Sequence, residues 1–433
     1  MRRRDTVFVL FCGFFLLPLF LSGEILSLEE CLEMAFKNNY GLRMSVENVS
    51  LSRSQNQMSY SEMLPYVSAQ SSVSRSPTSY GVEPYSDIYS TSVSVTQTVF
   101  DISTVFDIQS SRAKLKESVV LYEAAVREVE LSVAGTFFDL LKKKRLLFVR
   151  ELGYRESEEN LRKTELMYEI GTVSKIDLLR SEVVKNQSEL DLLRAERELE
   201  LSRANLAYAI GFSREGELDV REDSFEIQEY LVSDYDSLLE KVITHNAEIE
   251  AQRQAVSSGK AQLASSFCRY LPKLTVSGSY GYSGDKFTTS RDEWDAHDSW
   301  SIGASVSLPL FTGFSRSAGI RQSKAALRLE EIGLDDIVTQ KGIELKKALL
   351  SLNEARKTHI LAEKNFEKAE LSYRMVQEKY NLGAATIIEL IDAEQDFEEA
   401  QVTEISSYFD LLLSSFYITN LLGERIVGEE RIE

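Results

Sequence analysis

Two hydrophobic periodicities divide this chain. In four short stretches apolar residues recur at every second position; in two long ones they recur at every seventh. Val67, Ala69, Ser71 and Val73 share one face of an extended segment. Tyr89, Thr91, Val93, Val95, Gln97 and Val99 alternate with Ser92, Ser94, Thr96 and Thr98. The pattern returns as Leu274, Val276, Gly278, Tyr280 and Tyr282 against Thr275, Ser277 and Ser279. It returns again as Trp300, Ile302, Ala304, Val306, Leu308 and Leu310 against Ser301, Gly303, Ser305 and Ser307. Successive side chains of a strand point to opposite faces. The spacing therefore predicts strands over about 66–75, 88–100, 273–283 and 299–310, apolar on one face and small and polar on the other. Outer-membrane strands have this lipid-out, water-in pattern. Tyr66, Tyr85, Tyr89, Tyr282, Trp294 and Trp300, near the strand ends, suit an interfacial aromatic girdle. A half-buried sheet of a soluble protein would alternate in the same way, so the helices decide the reading.

The first heptad row runs Val119, Val126, Val133, Leu140, Leu147, Tyr154, Leu161 and Tyr168. The second runs Val338, Leu345, Leu352, His359, Phe366, Tyr373 and Tyr380, with Ala348, Ala355, Ala362 and Ala369 in a companion row. Sustained seven-residue spacing means coiled-coil packing. The helices should run from about Ser103 to Tyr168 and from about Gly313 to Tyr380, roughly 100 Å each at 1.5 Å per residue. Shorter helices over Leu28–Asn38, Leu42–Leu64 and Val173–Gly211 flank the first hairpin and its long helix. With only six prolines in 433 residues, such helices can run unbroken.

The chain is also written twice. Asn39 corresponds to Asn246, "EMLPYVSAQSSVS" from Glu62 to "RYLPKLTVSGSYG" from Arg269, and "YEIGTVSKIDLLRSE" from Tyr168 to "YNLGAATIIELIDAE" from Tyr380. The offset is 207 residues early and 212 later. Each copy has the order helix, strand, strand, helix. The expected organisation is a signal segment at 1–23, a first repeat at 24–212, a linker at 213–234, a second repeat at 235–424 and a tail at 425–433. The two turns Ile170–Thr172 and Leu382–Ala384 should lie at the end opposite the strands. Four strands cannot close a barrel, so several chains must each contribute four; two would give an interior filled by side chains, and three would leave a lumen.

Composition narrows the function. The net charge is −19, with 68 acidic against 49 basic side chains, which disfavours nucleic acid as a partner. Arg2, Arg3 and Arg4, an apolar run from Val7 to Phe20 and the small residues Ser22 and Gly23 read as a secretory signal. Beyond it no run of 18 apolar residues occurs, so membrane insertion would use a β-barrel. Cys31 and Cys268 read as small apolar residues rather than a disulfide framework. His245, His297 and His359 have no metal-ligand spacing, and neither HExxH, GxSxG nor a phosphate-binding loop is present. No cofactor and no enzymatic activity are expected.

The N-terminal signal, the duplicated order and the turn Tyr-x-x-Gly with an acid six residues further on (Tyr168–Gly171–Asp177 and Tyr380–Gly383–Glu389) together resemble the TolC-like outer-membrane efflux proteins. The resemblance covers Leu28 to about Gly423. It implies a mainly α protein with a small β part. It also implies a homotrimer whose twelve-stranded barrel, four strands per chain, stands in outer-membrane lipid above a long coiled-coil α-barrel in the periplasm. The implied partners are a periplasmic adaptor (membrane fusion) protein and an inner-membrane pump of RND, ABC or MFS type; the cargo is drugs, metals or secreted protein. Gly171 with Thr172, and Gly383 with Ala384, match the turns where adaptor tips engage. Glu389 and Asp392 match the acidic pair of the periplasmic entrance, and Tyr380 and Asp177 match residues that link neighbouring hairpins to hold it shut. Ala385 departs from the pattern, since some members carry arginine there. The competing reading is a secreted coiled-coil structural or adhesive protein, which needs no lipid-facing alternation repeated in both copies.

Overall fold

A computed structural model describes residues 24–77, 85–212, 218–222, 225 and 230–424. The expected signal segment and tail, and residues 78–84 of the first strand–strand connection, lie outside the described residues. In chain order the elements are β1 (Glu24–Leu26), α1 (Leu28–Asn38), α2 (Tyr40–Ser61), β2 (Tyr66–Pro77), β3 (Tyr85–Phe100), α3 (Ile102–Glu169) and α4 (Lys175–Ile210). They continue with β4 (Leu218–Val220), α5 (Tyr235–His245), α6 (Ala247–Cys268), β5 (Lys273–Gly284), α7 (Arg291–His297), β6 (Asp298–Ser307), α8 (Ser315–Asn381) and α9 (Ile387–Leu421). The two heptad rows lie on α3 and α8, unbroken helices of 68 and 67 residues.

The repeat is a repeat of starts and stops. Asn39 caps α2 by accepting from Leu42 N, and its counterpart Asn246 caps α6 by accepting from Glu248 N and Ile249 N. Pro65 and Pro272 each directly precede a strand, β2 and β5. Gly211 and Gly423, 212 residues apart, follow the ends of α4 and α9 with φ of 69° and 78°. In this left-handed region a side chain is strained, and glycine ends a helix there at little cost.

The chain divides into two compact units. One contains Val133–Glu226, Lys364–Phe409 and the N-terminal stretch to Lys37. Here β1 pairs in parallel with β4, Ile25 opposite Asp219. The expected linker thus contains a strand, too short for periodicity to reveal. Phe137, Phe138 and Leu140 of α3 are fully buried, and Phe225 meets both phenyl rings edge-on. Arg145 lies over the rings of Tyr408 and Phe409 while pairing with Glu222. Nearer the C-terminal end of α8, the rings of Phe366 and Tyr373 stack on Phe397 of α9.

The other unit contains Asn38–Ser132, Ile227–Glu363 and the chain from Asp410 on. Its helical core joins Leu238 and Val242 of α5, Ile249 of α6, Leu345, Leu349 and Leu352 of α8, and Ile418 and Leu421 of α9. Its sheet has the order β2-β3-β5-β6, antiparallel throughout, so the two hairpins join through β3 and β5. The register sets Val67 beside Val95, Val93 beside Tyr280, and Tyr280 beside Trp300. One face is therefore predominantly apolar, interrupted by the Ser71–Thr91 hydroxyl pair at 2.9 Å and, near the hairpin end, by the Arg75–Asp87 ion pair at 2.6 Å. The opposite face is a field of hydroxyls, cross-linked by Ser68–Ser94 at 2.8 Å, Ser90–Ser283 at 3.3 Å and Ser279–Ser301 at 2.9 Å. Two expectations change. β6 ends at Ser307 rather than at 310, because Pro309 has no N–H for the ladder. The stretch between β5 and β6, expected as a loop, contains α7.

Candidate functional site

The residues singled out from the sequence gather at the two helix–helix turns, all in the unit containing Val133–Glu226 and Lys364–Phe409. The first turn ends α3. Gly171 adopts φ 76°, its N–H donates to Tyr168 O at 2.9 Å, and Thr172 N–H donates to Met167 O at 2.9 Å. The second turn ends α8 in the same way. Gly383 adopts φ 71°, its N–H donates to Tyr380 O at 2.9 Å, and Ala384 N–H donates to Lys379 O at 2.7 Å. In both turns the carbonyls left open at a helix end are closed by the two residues after it. Neither glycine has a heavy atom within 4 Å of where a Cβ would stand, so backbone conformation rather than space demands glycine.

Each outgoing helix then starts with a reciprocal cap. Ser174 N–H and Oγ–H both donate to Asp177 Oδ2, at 3.1 and 2.7 Å, and Asp177 N–H donates back to Ser174 Oγ at 3.2 Å. In the second copy Thr386 N–H and Oγ1–H donate to Glu389 Oε2, at 2.7 and 3.0 Å, and Glu389 N–H returns to Thr386 Oγ1 at 3.3 Å. The capping pattern, S/T followed by an acid three residues later, was present in both sequences and gives these carboxylates a local role. The Ser174 hydroxyl and N–H hold Asp177 below the usual carboxylate range. The Thr386 N–H, then its hydroxyl, do the same for Glu389. Glu389 therefore stays ionised further into the acid range.

Asp392 is exposed one turn beyond Glu389, and Arg180 occupies the corresponding place in the first copy. Both belong to the wall of a groove of about 590 Å³ whose apolar lining is Ile176, Leu179, Val183, Val184, Ile388 and Ile391. Tyr380 packs against the cluster of Tyr373, Ile387, Leu390 and Ala393, and its hydroxyl donates to Met167 Sδ at 3.8 Å. Burial raises its phenol above the ordinary tyrosine range, and the Asp177 charge adds to this. Within the chain the Tyr380 hydroxyl meets Met167, and the Asp177 carboxylate is taken by Ser174.

A second acidic group sits behind the turn, and sequence reasoning missed it. Glu394 is buried, with Oε2 accepting from Asn160 Nδ2 at 3.1 Å. Burial, and then the charges of Glu156 and Glu398, push its carboxyl up to about 7. Glu156 accepts from Tyr373 Oη at 3.3 Å and is itself raised by burial; Glu398 pairs with Arg150 at 2.5 Å. A signal was available: Ile387, Leu390, Ile391 and Phe397 form a helical apolar stripe, and Glu394 falls on it.

Among the described residues, no group of histidine, cysteine or acidic side chains could hold a metal ion, and no helix is long and apolar enough to cross a membrane. Cys31 and Cys268 are free thiols; Cys31 is buried, and burial pushes its pKa up to about 12.

Comparison with known proteins identifies the fold and the family. The family model "Outer membrane efflux protein" matches twice, over residues 31–212 and 238–424, one match per repeat. The chain belongs to the outer membrane efflux protein family. Within it, the chain is 23% identical to outer membrane protein TolC of Vibrio cholerae over 348 residues, covering 78% of this chain and 77% of that protein. It is 20% identical to outer membrane efflux protein BepC of Brucella suis over 425 residues, covering 93% and 88%. The crystal structure of the Campylobacter jejuni CmeC outer membrane channel superposes with a TM-score of 0.82 at 17% identity, covering 93% of this chain and 87% of that one. The efflux-protein family places the chain in the outer membrane, reaching into the periplasm, and its members are channels rather than enzymes.

Proposed function

We propose that this chain is the outer-membrane conduit of a tripartite exporter. Three copies each contribute four strands to a twelve-stranded barrel, and the helices continue the passage through the periplasm. The observation that carries this reading is the sheet. It is predominantly apolar on one face and hydroxyl-rich on the other, and its edge strands β2 and β6 have no further partner among the described residues. A flat, unpaired edge invites another strand, and closure by further copies removes it. The hydroxyl face then lines water and the apolar face meets lipid.

In the same reading, a periplasmic adaptor engages the turns at Gly171–Thr172 and Gly383–Ala384, supported by the exposed apolar side chains Ile170, Ile176 and Leu382 beside them. Glu389 and Asp392, repeated in each subunit, form an acidic ring at the periplasmic entrance that favours cations. Tyr380 and Asp177 help to close that entrance by linking adjacent hairpins. The inner-membrane pump, of RND, ABC or MFS type, supplies energy and selects the cargo, whether drug, other small molecule, metal or secreted protein.

The test is single-channel recording of the detergent-extracted protein in a planar bilayer, with its mass in solution. Discrete, cation-preferring steps from a trimer are expected. The Glu389→Gln, Asp392→Asn double variant should lose most of that cation preference. A monomer that never conducts, in the native protein and the double variant alike, would overturn the proposal.

A further inference from the structure

The connection between β5 and β6 does not stand free of the sheet. It folds back onto one face, and that face is the apolar one. Trp294 of α7 stacks on Tyr282 of β5, ring centroids 5.3 Å apart and planes 26° apart, and its Nε1–H donates to Tyr280 Oη at 3.0 Å. His297, one turn further along α7, meets the Tyr282 ring edge-on at 6.0 Å. Tyr282 is left only 5% exposed, and its hydroxyl donates to Lys286 O at 2.9 Å. Gly284 permits this fold: a Cβ there would stand 2.2 Å from Tyr282 Oη. Lys286 and Glu293 pair at 2.8 Å across the connection.

Tyr280 and Tyr282 belong to the same alternating row as Val276, Trp300 and Ile302, with Tyr280 beside Val93 on one side and Trp300 on the other. Trp300 and Ile302 are 73% and 77% exposed, so the apolar row continues past the edge of α7 without cover. On α7, Trp294 and His297 face the sheet, while Asp292 and Asp295 are exposed. The short helix thus has an aromatic side set on the apolar row and an acidic side turned away from it. Tryptophan with a satisfied N–H, flanked by tyrosine at the end of lipid-facing strands, suits the boundary between acyl chains and headgroups.

We infer that the β5–β6 connection is a membrane-interface anchor. α7 lies outside the barrel wall, in the headgroup layer of the outer leaflet, and does not stand over the mouth of the channel. The occupant of the surface beside Trp294 is membrane lipid, because that surface is continuous with the uncovered row of Trp300, Ile302 and Val306. The inference rests on reading the apolar face as the lipid-facing one.

The chain has two tryptophans, so each can be isolated as a single reporter by replacing the other with phenylalanine. In proteoliposomes of the full-length protein, emission of Trp294 in the Trp300→Phe variant is measured with three quenchers: lipid carrying a nitroxide near the headgroup, lipid carrying one deep in the acyl chain, and aqueous acrylamide. Strongest quenching by the shallow nitroxide is the expected result. Dominant quenching by acrylamide would place α7 in water. Dominant quenching by the deep nitroxide would place it in the hydrocarbon. Resistance to all three would mean that a second copy of the chain covers it. Each of these three outcomes overturns the anchor. Trp300 in the Trp294→Phe variant is the control. If lipid nitroxides quench Trp300 but not Trp294, only the anchor fails; if they quench neither, the lipid-facing assignment fails with it. Should Trp300→Phe not assemble, Trp300→Tyr retains the interfacial ring and leaves Trp294 as the reporter.

Discussion

The two helix–helix turns have the same backbone and different chemistry. From Gly171 to Asp177 and from Gly383 to Glu389 the same stop is followed by the same reciprocal cap. Beyond the cap the copies part. Where the first has Arg180, Ser181 and half-buried Glu182, the second has exposed Asp392, buried Ala393 and buried Glu394. The stop and cap are what a helix needs to end and another to begin, and both copies need them equally. The next turn of helix is free of that demand, and there the second copy has two acids, Asp392 and Glu394, where the first has the cation Arg180 and the acid Glu182. A duplicated fold can thus hold its geometry in both halves while its charges differ beyond the cap.

The largest test of this contrast is at Glu394. Its carboxyl is raised in the folded chain to about 7 from an ordinary value of 4.5. The folded state therefore binds the proton more tightly than the unfolded state. The stability linked to that proton is fully present below the unfolded value and is lost as pH rises through the folded one, on the order of 3 kcal/mol per chain across that window. Groups facing it are Glu156 and Asn160 of α3, Glu398 of α9 with its partner Arg150, and Tyr373 of α8 through Glu156. Glu394→Gln should remove most of this dependence and raise the thermal midpoint at pH 8, with little change at pH 5. Glu182→Gln, the corresponding change in the first copy, should leave the pH profile as it was. Two variants with the same profile would erase the contrast between the copies.

At the glycines the copies should behave alike. Gly171→Ala and Gly383→Ala each place a Cβ in open space but at positive φ, so each should cost about 1–2 kcal/mol from conformation alone. Thermal unfolding of the two variants measures this, and equal losses are expected. Gly171→Val and Gly383→Val should cost more and should impair export while trimers still assemble. A valine variant that exports normally would show that the turn is dispensable for adaptor docking.

Much of this was legible in the sequence because it is local. Four alternating stretches gave four strands with ends within a few residues, and a heptad gave helices that run unbroken from Ile102 to Glu169 and from Ser315 to Asn381. The twin asparagines and glycines were readable as a repeat, and the structure gives each a task, as cap or stop. What escaped depends on contacts distant in sequence. Three-residue β1 and β4 are strands only because they pair across nearly 200 residues, and neither is long enough to show alternation. α7 forms where Trp294 finds Tyr280 and Tyr282. Glu394 reads as one more charge in an acidic chain until Glu156 and Asn160 of another helix are placed against it.

The smallest expected effect separates the copies at their caps. Ser174→Ala and Thr386→Ala each remove one capping hydroxyl, which should cost about 1 kcal/mol in either copy. Their consequences for ion flow should differ. Thr386 holds Glu389 below the usual carboxylate range through its N–H first and its hydroxyl second. Alanine keeps the N–H, so the Glu389 carboxyl should rise only part of the way back. If Glu389 belongs to the cation-attracting ring, acidification should then abolish cation preference at a higher pH in Thr386→Ala than in the unaltered channel. Asp177 loses the corresponding hydroxyl in Ser174→Ala, but it lies beside Arg180 rather than a second acid, and the pH at which selectivity disappears should not move. Reversal potentials across a salt gradient, recorded from pH 7 downward, measure both. A shift in both variants would mean that the two turns share the entrance ring equally, and the division of labour between the copies would have to be given up.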